Sequence, residues 1–262
     1  MKAPIEDRSH ITGFREHISK AAGASRGEFF GWFDAAETPE ESFVRGSWDF
    51  AYHIAAPALP YLACPHTLTA LEIGYGGGRI LASAARSFGT VIGVDIHDHA
   101  KIVEAELAKL GLTNFQLARG EGAELPVESA SIDFVYSFIV MQHVEKLRIF
   151  ESYLRETSRV LKHGGVAVIY YGRVGRLSEG SRSALRWGLD RLIAPIYLWP
   201  KGFRELPAAV NATNLIIAPG RAKRSAQAAG LDVARTVTSR KRVPDGYPRY
   251  GGQHGLVLRK PG

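Results

Sequence analysis

From Thr69 onward the chain alternates between short apolar runs and longer stretches with apolar residues three and four positions apart. The first pattern predicts a buried strand, the second an amphipathic helix. "TALEIG" predicts a first strand, and "GRILASAARSFG" a small helix closed by Gly89. "TVIGVDI", rich in β-branched residues, predicts a second strand. "DHAKIVEAELAKLG" predicts a helix with Asp98 as its N-cap and Gly111 past its end. "NFQLARG" and "SIDFVYSFIV" predict strands three and four, "EKLRIFESYLRETSRVL" a helix stopped by "KHGG", and "VAVIYYG" a fifth strand. Near the end come a short helix, "RAKRSAQAAG", and two strands, "LDVARTVTS" and "QHGLVLRK", that can pair antiparallel. This alternation predicts an α/β fold of Rossmann-like form. The expected sheet is seven-stranded and mostly parallel, with an antiparallel last strand and helices on both faces.

Two regions depart from that rhythm. Residues 1–60 read as an N-terminal segment of helix and loop, ahead of a main domain over 61–262. Within it, Thr38-Pro39-Glu40-Glu41 has the form of a helix start. Trp48, Phe50 and Tyr52 either close over a ligand or pack in the core. Residues 173–220 lose the alternation and read as a cap-like insert before the sixth strand. Its stretch "RSALRWGLDRLIAPIYLWPKGF" is basic and aromatic, with a helical period in its first half. A hydrophobic lid over a substrate is the simpler reading, and contact with a lipid surface is the other.

Composition narrows the setting. A chain of 262 residues suits one large domain, or one domain with a cap. The single cysteine, Cys64, excludes an internal disulfide and fits a reducing compartment. "MKAPIEDRSH" lacks the apolar core of a signal peptide, and no apolar stretch has the length of a transmembrane span. The expected location is the cytoplasm. Charge is uneven: residues 1–172 carry 16 Lys/Arg and 21 Asp/Glu, whereas 173–262 carry 17 and 5. The basic C-terminal third is either a solvated face or one that attracts anions.

The candidate chemistry centres on "LEIGYGGGRI", where Gly74, Gly76 and Gly78 follow the first strand. A phosphate-cradling loop needs a Gly-Lys-Ser/Thr ending, which is absent. A dinucleotide fingerprint needs a third glycine where Arg79 stands. Glu72 would repel a pyrophosphate but suits an ammonium group. Asp95, ending the second strand, can accept hydrogen bonds from two ribose hydroxyls. Glu121, in "GEGAELP" after the third strand, can accept from an adenine amine. An amino acid end, a ribose and an adenine together make S-adenosylmethionine.

"LEIGYGGGRI", "GVDI", "GEGAELPVESASIDFVYSFIVMQHV" and "RVLKHGGVAVI" together resemble the class I S-adenosylmethionine-dependent methyltransferases, in particular the small-molecule group of the type 11 methyltransferase domain. The resemblance covers residues 68–172 well and the last two strands more loosely. It implies that Glu72, Gly74 and Gly76 contact the methionyl end, that Asp95 holds the ribose and that Ile96 flanks the adenine. It further implies that Glu121 and Gly122 meet the adenine amine, and that Ser137 faces the donor. Glu121 stands where the family more often has Asp. Tyr75 and Gly78 occupy variable family positions and receive no special role. S-adenosylhomocysteine is the implied product.

Methyl transfer from a sulfonium mainly needs alignment, and an oxygen nucleophile also benefits from a base. His143, in "MQHV" past the fourth strand, is the candidate base; its other reading is a histidine that shapes the pocket or caps the next helix. Tyr170, Tyr171 and Arg173 are candidates to line the substrate site, although strand alternation forbids both tyrosines doing so. His97, Asp98 and His99 lack a metal-ligand spacing, and no metal is expected. Arg240, Lys241, Arg242, Tyr247 and Tyr250 form a basic, aromatic loop that suits nucleic acid, an acidic small molecule or plain solvation. The expected activity is methyl transfer to a hydroxyl of a small-molecule or saccharide-like acceptor, possible anionic character included. The alternatives are an RNA methyltransferase and a non-catalytic donor-binding regulator.

Overall fold

The computed structural model describes residues 13–34, 36–121, 123–242 and 248–262. Its main sheet contains β1 (Thr69–Ile73), β2 (Thr90–Asp95), β3 (Phe115–Arg119), β4 (Ile132–Ser137), β5 (Leu161–Gly172), β8 (Asp232–Arg242) and β9 (Pro248–Arg259). Their order is β3-β2-β1-β4-β5-β9-β8. β1 to β5 pair parallel, and β9 pairs antiparallel with both β5 and β8. The seven-stranded, mostly parallel sheet is therefore as expected. Only β9 runs against the rest, because the hairpin that reverses it leaves β8 pointing along β5. The chain order switches direction between β1 and β4, the place where such sheets bind ligands at the carboxyl ends of their strands.

Strand alternation divides the core into two layers. On β5, Val166, Val168 and Tyr170 pack with the N-terminal helices, while Ala167, Ile169 and Tyr171 pack beneath α7 (Leu147–Val160) and α9 (Pro219–Ala228). The two tyrosines thus face opposite layers, as their spacing requires.

The N-terminal segment forms α1 (Phe14–Ala24), α2 (Arg26–Asp34) and α3 (Pro39–Asp49), then a π-helical stretch, Phe50–Ala55, and the short α4 (Ala56–Ala58). Thr38 starts α3 as expected, its hydroxyl accepting from the Glu41 N–H at 3.1 Å. Phe29 and Phe30 are fully buried against the sheet layer. Each such side chain contributes about 1.5–3 kcal/mol by leaving water. α3 packs closely on α5 (Arg79–Ala85): a Cβ on Gly46 would lie 2.0 Å from the Arg79 carbonyl oxygen. The Arg79 guanidinium pairs with Asp49 and lies 3.8 Å from Asp34. The side chain that breaks the dinucleotide pattern therefore ties the ends of α2 and α3 to the glycine loop.

Several local expectations change. α5 ends at Ala85, and Gly89 instead enters β2, where a Cβ would meet the His66 carbonyl oxygen at 2.7 Å. α6 (Ala100–Lys109) starts after His99; Asp98 pairs with Arg119 rather than capping it. In the insert, α8 (Ala184–Tyr197) is helical along its whole length, beyond the half that the period marked. β6 (Phe203–Glu205) and β7 (Leu215–Ile217) form a separate antiparallel pair. Three-residue strands are too short for a period to register.

Candidate functional site

The glycine loop turns sharply out of β1. Gly74 has φ +82°, and a Cβ there would lie 2.3 Å from Val140 Cγ2. Gly78, a variable position in the resembled family, also has a left-handed φ and forms the N-cap of α5. The loop opens onto a cavity whose lining includes Gly74, Tyr75, Gly76 and Gly77.

Glu72, Gly74, Gly76, Asp95, Ile96 and His143 all line this cavity. Glu72 is 3% exposed, and register sets it beside Tyr136, whose hydroxyl donates to Glu72 Oε2 at 3.1 Å. Burial pushes its carboxyl up to about 8, against the lowering effects of Tyr136 and Arg79. A ligand ammonium group beside it would draw it back to the charged form. Asp95 accepts from the Gly76 N–H through Oδ2 and from the Ile96 N–H through Oδ1, each at 2.7 Å. Each carboxylate oxygen keeps a second lone pair for a ribose hydroxyl.

His143 lines the cavity from the segment after β4. Its Nδ1 is 2.6 Å from the Ala212 carbonyl oxygen. A carbonyl accepts only, so Nδ1 carries the proton and Nε2 is the basic nitrogen of the neutral ring. Nε2 lies 3.3 Å from Gln142 Nε2. Burial lowers the His143 pKa, opposed by the Ala212 contact. The insert returns here: Asn214 Nδ2 donates to the His143 carbonyl at 2.9 Å, and the Asn214 N–H donates to the Gln142 carbonyl at 2.7 Å. Ile139, on the cavity wall, has φ +62°, a costly conformation for a β-branched residue.

Other expected site residues stand elsewhere. Ser137 is fully buried and its hydroxyl donates to the Ile73 carbonyl at 3.0 Å, so it does not reach the cavity; Phe138, Ile139 and Val140 form that wall. Glu121 is exposed and pairs with Arg119 at 2.9 Å, while Gly120, Glu124 and Leu125 line the cavity. Gly122 lies outside the described residues. Tyr170 and Tyr171 are buried in the two core layers, and Arg173 bonds the Val174 carbonyl and the Ser178 hydroxyl. Trp48 and Tyr52 stack on each other at the surface, and Phe50 packs on Tyr136. His97 spends both ring nitrogens on backbone, the Gly76 carbonyl and the His99 N–H. The side chains of Arg240, Lys241, Arg242 and Tyr250, and all of Tyr247, lie outside what is described.

Phe14, Ile18, Trp32 and Phe33 from α1 and α2 complete the cavity, joined by Asn211. Sequence reading missed them. The aromatic cluster "GEFFGWFD" was the available signal, since a short helix with four aromatics needs a partner to cover them. Among the described residues, no Lys or Arg beyond residue 172 lines the cavity.

Residues 71–169 match the family described as "Methyltransferase domain". No curated protein matches the chain. Among solved structures, the chain is similar to an S-adenosylmethionine-dependent methyltransferase from Aquifex aeolicus, at 15% identity and TM-score 0.52 over 80% of this chain and 92% of that one. A second, from Methanosarcina mazei, aligns at 16% identity and TM-score 0.55 over 78% and 97%. The mitomycin 7-O-methyltransferase MmcR aligns at 15% identity and TM-score 0.60, covering 95% of this chain but 61% of its own.

Proposed function

We propose an acceptor class and a base for this chain, which carries the domain of a class I S-adenosylmethionine-dependent methyltransferase. The acceptor is a hydroxyl on a small molecule, and His143 takes its proton. S-adenosylmethionine, when bound, supplies a methyl group already activated on a sulfonium. Glu72 would hold its ammonium group and Asp95 its ribose; the fit rests on a buried carboxylate beside a loop too tight for side chains.

The observation that carries the proposal is the fixed tautomer of His143. With Nδ1 donating to Ala212, Nε2 is the nitrogen left to act as base on a ring that lines the cavity; at rest it accepts from the Gln142 amide at 3.3 Å, a contact the acceptor hydroxyl has to replace. A positioned base of this kind contributes about 10²–10⁴-fold to rate. Phe14, Ile18 and Trp32 give the same wall an apolar face, which favours an acceptor with a ring or hydrocarbon skeleton over a heavily hydroxylated saccharide. The printed name of MmcR specifies oxygen methylation for that protein, in keeping with this reading. Methyl-labelled donor offered with separated small-molecule, glycan, lipid and RNA fractions tests it. Label in small-molecule methyl ethers is the expected result, and label confined to RNA contradicts it.

A further inference from the structure

We propose that the cap helix α8 docks on the surface of an anionic lipid bilayer. Its exposed large residues are Leu185, Leu189, Leu192, Ile193 and Ile196, continued by Trp199 past its end. Their spacing places them on one stripe of the helix. Leu192, Ile196 and Trp199 are 73%, 80% and 82% exposed. The opposite face presents Asp190, 1% exposed, whose carboxylate accepts from the Leu177 and Ser178 N–H groups. The usual amphipathic arrangement is thus inverted: the apolar stripe faces water and the one acid faces the protein.

Charge identifies the occupant. At 3.6 residues per turn, Arg186 borders the stripe on one side, and Arg191 lies beyond the other, its guanidinium 4.7 Å from the Trp187 ring centre. Residues 173–204 hold seven Lys/Arg against two acids. A second copy laid on the stripe would set arginine against arginine, and Asp190, the helix's single acid, is turned inward. Anionic headgroups complement Arg186, whose aliphatic stem can reach past apolar contacts to the interface, and the basic excess of the segment around it. The indole of Trp199 suits the same depth. Docking here lies in the plane of the surface: among the described residues no helix is long and apolar enough to cross a membrane. α8 does not line the cavity, so the stripe is not spent as a lid over it.

The test is flotation of the full chain with phosphatidylcholine vesicles, with and without about 30% phosphatidylglycerol, at low and high salt. The protein is expected to float with the anionic vesicles only, less so at high salt. The double substitution Leu192→Glu, Ile196→Glu lowers that partition by about tenfold or more with an unchanged melting temperature, since both side chains point into water. Contact with anionic vesicles shifts the tryptophan emission to the blue, and Trp199→Phe removes that shift. Absence of wild-type flotation, or equal flotation of the double variant, overturns the proposal. A concentration-dependent dimer that the double variant abolishes, with no vesicle binding, overturns it in favour of a second copy.

Discussion

The backbone N–H of Gly76 donates to Asp95 Oδ2 at 2.7 Å, joining the glycine loop to the end of β2. In the proposed reading, the carboxylate that would receive the ribose also shapes the loop that would receive the methionine tail, so a change at Asp95 is expected to disturb both contacts.

Glu72 links donor binding to pH. Its folded pKa, near 8, stands above the ordinary 4.5, so the folded state keeps a proton that the unfolded chain has released. The stability it contributes is full below about pH 4.5 and is lost as pH rises toward about 8. Glu72→Gln should flatten this part of the pH dependence in denaturant titrations; an unchanged slope would show that the group is not so perturbed. Donor binding at pH 7 should release most of one proton, read as a calorimetric heat that varies with the buffer's ionisation heat.

Two glycines distinguish strain from close packing. Gly74→Ala meets Val140 Cγ2 at 2.3 Å with φ +82°, and Gly46→Ala meets the Arg79 carbonyl at 2.0 Å. Each should cost about 2–4 kcal/mol in unfolding free energy. Adding Val140→Ala should recover part of the first loss. A loss of less than about 0.5 kcal/mol at either site would contradict these contacts.

His143→Ala should reduce kcat by about 10²–10⁴-fold while leaving donor affinity unchanged. Burial lowers the His143 pKa below the usual 6.5, so the ring stays neutral and the wild-type rate holds until pH falls below that range. A loss under about tenfold would reduce His143 to shaping the pocket.

The regular part of the fold was legible because each strand and helix from Thr69 to Gly172 carries its own period, although the signals at Gly89 and Asp98 did not set the ends of α5 and α6. The same held for Glu72, the glycine turn and Asp95, whose places follow from the ends of strands. Ser137 and Glu121 were not legible: a family position names a residue, but the hydroxyl of Ser137 finds the Ile73 carbonyl and Glu121 finds Arg119. The wall of Phe14, Ile18, Trp32 and Phe33 depends on how α1 and α2 fold back over the sheet. That path is fixed by Arg79 and Gly46, whose partners are distant in sequence. The outward stripe of α8 shows as a period, but only packing tells which side faces water.

The most direct test of the central claim is calorimetric titration of S-adenosylmethionine into the wild-type protein and Asp95→Ala. The account predicts one site per chain, and an affinity about 10–100-fold weaker in the variant, from lost charged hydrogen bonds of about 1.5–3 kcal/mol each. No binding by the wild type, or equal affinity in both proteins, would contradict it.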